Sequence, residues 1–389
     1  MFQELQALPE DPILRYSTEF NHDNRSHKIN LTVGMYYDEE SRIPVFQAVQ
    51  LAEKAILEAG HNKNYFPIDG PIEYRTQVSE LILGKQDERV TVCYAPGGTG
   101  AVRLGAELIK KARPSSAVWI SDPTWNVHCS IFQQCGFVIN KYQYLESNGT
   151  LRFSQVMQCL SQAKPGDCIV LHGCCHNPTG IDPTPSQWNA LFELLKEKKV
   201  TPFFDMPYHG FANGLEEDMS HIRLAIEKFD DVMVAYSFSK TMGLYCDRVG
   251  ALLVKTKNDS AANIIGSHLR FLARMMFSNP PAHGIRIVEC VLKNKFLRKQ
   301  WQEELDSCRK RLKFARKKMA LELSSANCNF AHLGSGNGMF SLTGLNSDEV
   351  LSLKKRFGIY LLQNGRINIA ALNDRNIPII CNAILQVIN

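Results

Sequence analysis

The chain has 389 residues, 44% hydrophobic and 21% charged, with 44 basic and 39 acidic side chains and a net charge of +5. That is enough chain for two or three globular domains, and the surplus charge is too small to mark a nucleic-acid partner. No apolar run reaches the roughly 18 residues of a membrane span, the opening "MFQELQALPEDPILRY" lacks the regions of a signal peptide, and the twelve cysteines form no Cys-x-x-Cys pair, so the expectation is a reduced, cytoplasmic protein.

Residues 1–44 carry no regular pattern and read as an N-terminal arm and part of a small domain. From residue 45 to about 300, short apolar runs alternate with helical patterns. "RVTVCYA" (89–95), "SAVWISD" (116–122), "DCIVLHG" (167–173), "VTPFFD" (200–205), "DVMVAYS" (231–237) and "RVGALLVK" (248–255) read as strands buried on both faces. Between them, "TPSQWNALFELLKEKK" (184–199) reads as a helix, with Thr184 as N-cap, Pro185 at the first turn and Gln187 closing a capping box. The alternation predicts a large α/β domain with a mostly parallel sheet, whose ligands gather at the carboxyl ends of the strands.

After the first of these strands, "APGGTGAVRLG" runs Gly97, Gly98, Thr99 and Gly100 into a helix, the exposed N–H groups of an anion site. A dinucleotide fingerprint competes, with Asp122 as its acid, but its third glycine position holds Arg103. "LHGCCHNPTGIDP" (171–183) presents Asn177 on a polar turn. His172, Cys174 and His176 fall on one face if the strand continues, a weak metal reading with no second ligand group elsewhere. "FFDMPYHGF" (203–211) ends an apolar strand on Asp205, a carboxylate that needs a cationic or N–H partner there, and Tyr208 follows.

"YSFSKTMGLYCDRVGA" (236–251) sets Lys240 among Ser237, Ser239 and Arg248. Ser237 and Lys240 have the Ser-x-x-Lys spacing of acyl-enzymes, but the chain holds no Lys-Thr-Gly partner. Together the strand ends supply an anion cradle, an Asn, an Asp with a Tyr, and a lysine beside hydroxyls and an arginine. That set matches pyridoxal 5′-phosphate, which needs a Schiff-base lysine and an acid facing its ring nitrogen.

Beyond residue 300, Trp301, Leu305, Cys308, Leu312, Ala315, Met319 and Leu323 recur at helical spacing. The basic run Arg309, Lys310, Arg311, Lys313, Arg316, Lys317 and Lys318 reads as the solvated face of that helix. "GMFSLTG" (338–344) and "GRINIAA" (365–371) read as short strands, and 301–389 as a smaller α/β domain completed by the N-terminal segment.

"SFSKTMGLYCDRVGA", "HGCCHNPTGIDP" and "KNYFPIDG" (63–70) resemble fold-type I pyridoxal-phosphate enzymes, and within them the class I aminotransferases of the aspartate and aromatic subgroup. The likeness runs from "DPIL" (11–14) to the C-terminus. It implies a ping-pong aminotransferase acting on aspartate, glutamate and aromatic amino acids with a 2-oxo acid such as 2-oxoglutarate; another pyridoxal-phosphate reaction, a β-lyase or decarboxylase, is the alternative. By the same resemblance Lys240 holds the cofactor and then serves as general base. Asp205, backed by His128, faces the ring nitrogen, and Asn177 and Tyr208 meet the phenolic oxygen. Trp125 stacks on the ring. The phosphate lies on Gly98, Thr99, Ser237, Ser239 and Arg248, with Tyr65 of a neighbouring subunit. Arg366, Asn177, Trp125 and Gly34 bind substrate, and Arg274 of the neighbour meets a side-chain carboxylate, so the working unit is a homodimer. The segment "VGMYYDEESRIP" (33–44), with Met35, Tyr37 and Ile43, lies over the site and suits a phenyl ring. The chain departs from the family pattern at Met206, Pro207, His209, Thr241, Met242, Cys246, Asp247 and Met276.

Overall fold

In the computed structural model, described for residues 2–8, 10–324 and 330–388, the strands are β1 (Ile29–Asn30), β2 (Val90–Pro96), β3 (Ala117–Asp122), β4 (Val138–Gln143), β5 (Cys168–His172), β6 (Thr201–Met206), β7 (Val232–Ser237), β8 (Val249–Lys255), β9 (Phe340–Leu342), β10 (Ile359–Tyr360) and β11 (Arg366–Asn368). Seven of them form one sheet in the order β2-β8-β7-β6-β5-β3-β4. The pairings from β7 to β4 are parallel, whereas β8 runs antiparallel to both neighbours. The sheet is therefore α/β and mostly parallel, as the alternation predicts. β5, β7 and β8 are buried at every position, as helices on both faces require.

The strand β4 has no counterpart among the predicted runs. It lies at the sheet edge with mixed exposure, so "VINKYQ" lacks the apolar run of a central strand.

The helix over Pro185–Lys198 starts on the predicted capping box: Thr184 Oγ1 accepts from Gln187 N and Gln187 Oε1 accepts from Thr184 N. The long helix spans Lys295–Ser324, and all seven of its predicted apolar positions are buried. The basic run departs from expectation. Arg316 is 1% exposed, and Arg311 donates to the Ala370 and Leu372 carbonyls rather than to water alone.

Two small pairings close the C-terminal part. β1 pairs in parallel with β10, tying residues near the N-terminus to the C-terminal region, and β9 pairs antiparallel with β11. The predicted strand over 365–371 is shorter than expected. Asn368 Oδ1 accepts from Ala370 N and turns the chain into a 3-10 helix at Ile369–Ala371. Among the described residues no helix is long and apolar enough to cross a membrane. Eleven cysteines are free thiols; Cys328 lies outside the described residues.

Candidate active site

The register of the parallel strands does the first assembly. His172 on β5 pairs with Asp205 on β6, and Asp205 with Ala235 on β7, one turn short of Lys240. Three chain segments far apart in sequence thus end at one line. A pocket opens there, lined by Gly98, Thr99, Trp125, His172, Asn177, Asp205, Pro207, Tyr208, Ser237, Ser239, Lys240 and Arg248.

Lys240 sits in the short helix Phe238–Thr241, which Ser237 caps by accepting from Ser239 N. Its Nζ lies 5.7 Å from the centre of the Tyr208 ring. Burial lowers the pKa of this amine to about 8; Asp205 opposes the shift, and Arg248 and Arg366 add to it. The free chain keeps its lysine protonated up to about 10.5, so the folded state releases this proton first, and its stability gains as pH rises between those values. The neutral amine is the nucleophile. In the cofactor-free protein, peptide-resolved reductive methylation with formaldehyde is therefore expected to modify Lys240 with a pH midpoint near 8, about two units below exposed lysines. A midpoint matching the exposed lysines would contradict the burial argument.

Asp205 is 5% exposed. Its Oδ2 is 2.9 Å from His128 Nε2, His128 Nδ1 is 3.0 Å from Thr124 Oγ1, and that hydroxyl is 3.1 Å from His172 Nε2. Asn177 N donates to His172 Nδ1. That last bond fixes the tautomers in turn: His172 donates from Nε2, Thr124 donates to His128 Nδ1, and His128 donates from Nε2 to Asp205. The carboxylate is thus oriented by a donated N–H. Burial holds His172 well below the usual histidine range. The sequence reading named His128 but missed Thr124 and gave His172 only to a metal. That metal reading fails on geometry. β5 stops at His172, Cys174 Sγ turns to the Tyr208 carbonyl, and His176 stacks on Tyr144 and bonds Thr179.

The anion cradle depends on the absence of side chains. A Cβ on Gly97 would meet the Arg248 guanidinium at 2.5 Å, and Gly97 itself has φ +69°, so only glycine fits. A Cβ on Gly98 would approach Ser237 Cβ at 3.2 Å. Arg248 Nη1 donates to Ser239 Oγ at 3.3 Å and to the Tyr245 carbonyl at 3.1 Å. Helix-start amides, two hydroxyls and a guanidinium therefore share one corner of the pocket.

Arg366, on β11, is 5% exposed and reaches the pocket through Asn177. Its Nη1 donates to Asn177 Oδ1 at 3.3 Å, its Nη2 donates to the Thr32 carbonyl at 2.7 Å, and its Cζ lies 4.1 Å above the Phe340 ring. Burial lowers its pKa to about 10, so it stays charged at neutral pH. Among the described residues its Nε is buried without a hydrogen-bond partner, and the guanidinium beside Asn177 is a planar fork suited to a carboxylate. Gly34 packs on the same ring: a Cβ there would meet Phe340 Cζ at 2.9 Å.

Tyr65 and Arg274 do not line this pocket. Tyr65 is 89% exposed, and Arg274 Nη1 donates to Ser278 Oγ and Asn279 Oδ1. Asn279 Nδ2 donates to the Phe66 carbonyl, so both residues belong to one outer surface. The departures from the family pattern leave the pocket groups in place. Met206 fills the space beside Gly173, where a Cβ would lie 2.4 Å from its sulfur. His209 joins Tyr236 to the Leu215 carbonyl, and the Thr241 carbonyl accepts from Trp301 Nε1.

Comparison with known proteins agrees with this geometry. The family pattern described as "Aminotransferase class I and II" matches residues 26–384. Aspartate aminotransferase of Escherichia coli is 40% identical over 396 residues, and the aromatic-amino-acid aminotransferase of the same organism is 37% identical, each alignment covering both chains completely. Among solved structures, an aromatic-amino-acid aminotransferase from Burkholderia pseudomallei, covalently bound to pyridoxal phosphate, superposes with a TM-score of 0.97 at 39% identity, covering all of both chains. The cytoplasmic aspartate aminotransferase of Saccharomyces cerevisiae does so with a TM-score of 0.97 at 32% identity, covering 100% of this chain and 98% of that one.

Proposed function

The chain belongs to the class I and II aminotransferases, and from that premise we propose how its residues move an amino group between aspartate, glutamate or an aromatic amino acid and a 2-oxo acid. Its cofactor is pyridoxal 5′-phosphate. The pocket fits that group's four chemical features: a corner of amides, hydroxyls and Arg248 for the phosphate, a charged Asp205 for the ring nitrogen, Asn177 and Tyr208 for the phenolic oxygen, and Lys240 for the aldehyde. The observation that carries the reading is the gathering of Lys240, Asp205, Asn177 and Tyr208 in one pocket, with Lys240 Nζ 5.7 Å from the centre of the Tyr208 ring.

Bound there, pyridoxal phosphate supplies an aldehyde for amines and a ring that accepts the electron pair left at the substrate Cα. Lys240 is the attachment point. Once freed by a substrate amine, the same neutral amine would take the proton from Cα and deliver it to the cofactor's former aldehyde carbon, across the nitrogen. Asp205 holds a proton at the ring nitrogen, and His128 and Thr124 keep its carboxylate aimed. Arg366 and Asn177 bind the substrate α-carboxylate, the planar guanidinium offering a two-point grip. Trp125 and Tyr208 flank the ring and keep water from the reacting carbon. Mixing the protein with aspartate and 2-oxoglutarate is expected to yield glutamate and oxaloacetate in equal amounts. Release of ammonia or carbon dioxide without a 2-oxo acid would favour a lyase or decarboxylase instead.

Residues 45–300 form the cofactor-binding domain in this reading, and 1–44 with 301–389 the smaller one, in keeping with the β1–β10 pairing. The reduced cysteines suit the cytoplasm. The working unit is a homodimer in which Tyr65 and Arg274 complete the partner's site; their surface position supports this. A mixture of Lys240→Ala and Arg274→Ala subunits tests it. Each hybrid dimer has one site with both residues intact, so aspartate activity is expected to reappear on mixing, at up to about half the wild-type level per hybrid. No recovery despite hybrid formation would sink the shared site.

A further inference from the structure

Among the described residues, Arg316 is a buried cation without a carboxylate partner in hydrogen-bonding reach. It is 1% exposed, and its guanidinium donates, among the described residues, to the main-chain carbonyls of Leu333, Asn337, Gly338 and Phe340. Burying a guanidinium is costly, and replacing such a group by a packed apolar side chain is often neutral or stabilising. Its presence therefore calls for a reason beyond stability.

The carbonyls it gathers lead directly into β9, whose partner strand β11 carries Arg366 at the register of Leu342. On the opposite side of the guanidinium lies the loop that carries Asn177. A Cβ on Gly180 would meet Arg316 Nη2 at 2.8 Å, and one on Gly336 would meet Arg316 Nη1 at 2.8 Å. The two segments are stitched together around it. Asn337 N donates to the Gly180 carbonyl at 2.7 Å. Asp182 accepts from Cys175 N, from His176 N and from Asn337 Nδ2. A planar fork with five donors can hold four carbonyls at fixed angles, which a lysine cannot.

We propose that Arg316 is a positioning residue for substrate binding: it sets the separation of Asn177 and Arg366, the two side chains that take the substrate α-carboxylate. The proposal rests on the roles given to those two residues above. Arg316 touches no reacting atom. It fixes the joint across which Arg366 Nη1 meets Asn177 Oδ1 at 3.3 Å, and loosening that joint spoils a two-point grip before it affects the chemistry.

The test is carboxylate affinity in the cofactor-loaded protein, read by calorimetry with succinate, which has no amino group to transfer, together with KM and kcat for aspartate. Arg316→Met is expected to weaken succinate about 10- to 100-fold and to raise KM by more than it lowers kcat, with Arg316→Lys between it and wild type. Gly336→Ala is the second variant. Gly336 has φ −74°, so alanine brings no backbone strain, and its methyl group presses on Arg316 with the charge retained. It is expected to weaken succinate in the same direction, and it serves if Arg316→Met does not fold. Arg366→Lys is measured alongside. Succinate affinity unchanged in Arg316→Met, or in Gly336→Ala, overturns the proposal when Arg366→Lys binds weakly. Succinate affinity unchanged in Arg366→Lys instead overturns the assignment of the carboxylate site itself.

Discussion

Replacing Lys240 by alanine is expected to abolish covalent attachment of the cofactor and to slow amino transfer by at least about 10⁴-fold, because one side chain supplies both the covalent attachment and the proton transfer at Cα. Phosphate, ring-nitrogen and carboxylate contacts remain in such a variant, so it should still take up pyridoxal phosphate without a covalent bond. Lys240→Arg is expected to fare no better. A guanidinium stays protonated at any accessible pH and can be neither attachment point nor base. The measurement is the mass added to the chain by borohydride treatment, with single-turnover rates on aspartate. Cofactor fixed to the Lys240→Ala chain by borohydride would move the attachment to another lysine.

Asp205→Asn is the second large effect. The side chain keeps its size and its place on β6 but loses the charge that holds a proton on the ring nitrogen. The expected loss in kcat is about 10³-fold, the upper end of what one fixed electrostatic partner is worth. His128 then faces an amide whose orientation is free to reverse, so the chain from His172 through Thr124 no longer dictates which atom faces the ring. Asp205→Glu keeps the charge and should lose less than Asp205→Asn, although its longer stem breaks the 2.9 Å contact with His128. Equal losses in the two variants would mean that position, not charge, carries the effect.

The parts of this site visible in the sequence were those coded by adjacent residues. The glycine run at Gly97–Gly100, the Asn177 turn and the Ser237–Lys240 helix each announce themselves locally, because each needs a special backbone or a special neighbour. Behind Asp205, His128 came only from the family resemblance, and the rest of the chain of contacts was not visible. Thr124, His128 and His172 stand 48 and 44 residues apart or sit in unremarked helix starts, and only the register of β3, β5 and β6 brings them together. Strand direction was equally hidden: β8 has the same apolar run as its parallel neighbours, yet it is antiparallel to β7. Arg316 shows the converse. Its place in a run of seven basic residues pointed to water, and helical spacing would have corrected this, since it lies four residues from Leu312 and three from Met319, both buried. The reason a charge occupies that face is the set of carbonyls around it, which no local pattern encodes. Two departures from the family pattern also acquire reasons. Met206 packs over Gly173, and Thr241 lends its carbonyl to Trp301 of the long helix, tying the lysine segment to the C-terminal part.

The most direct test of the central claim is a half-reaction. Aspartate or phenylalanine is added alone to the purified protein, with no 2-oxo acid present, and the visible spectrum is followed. The account predicts that each converts the yellow form to the pyridoxamine form, releasing one equivalent of its 2-oxo acid per site, and that 2-oxoglutarate then restores the yellow form. A spectrum that neither amino acid changes, or a change accompanied by ammonia or carbon dioxide in place of the 2-oxo acid, would contradict it.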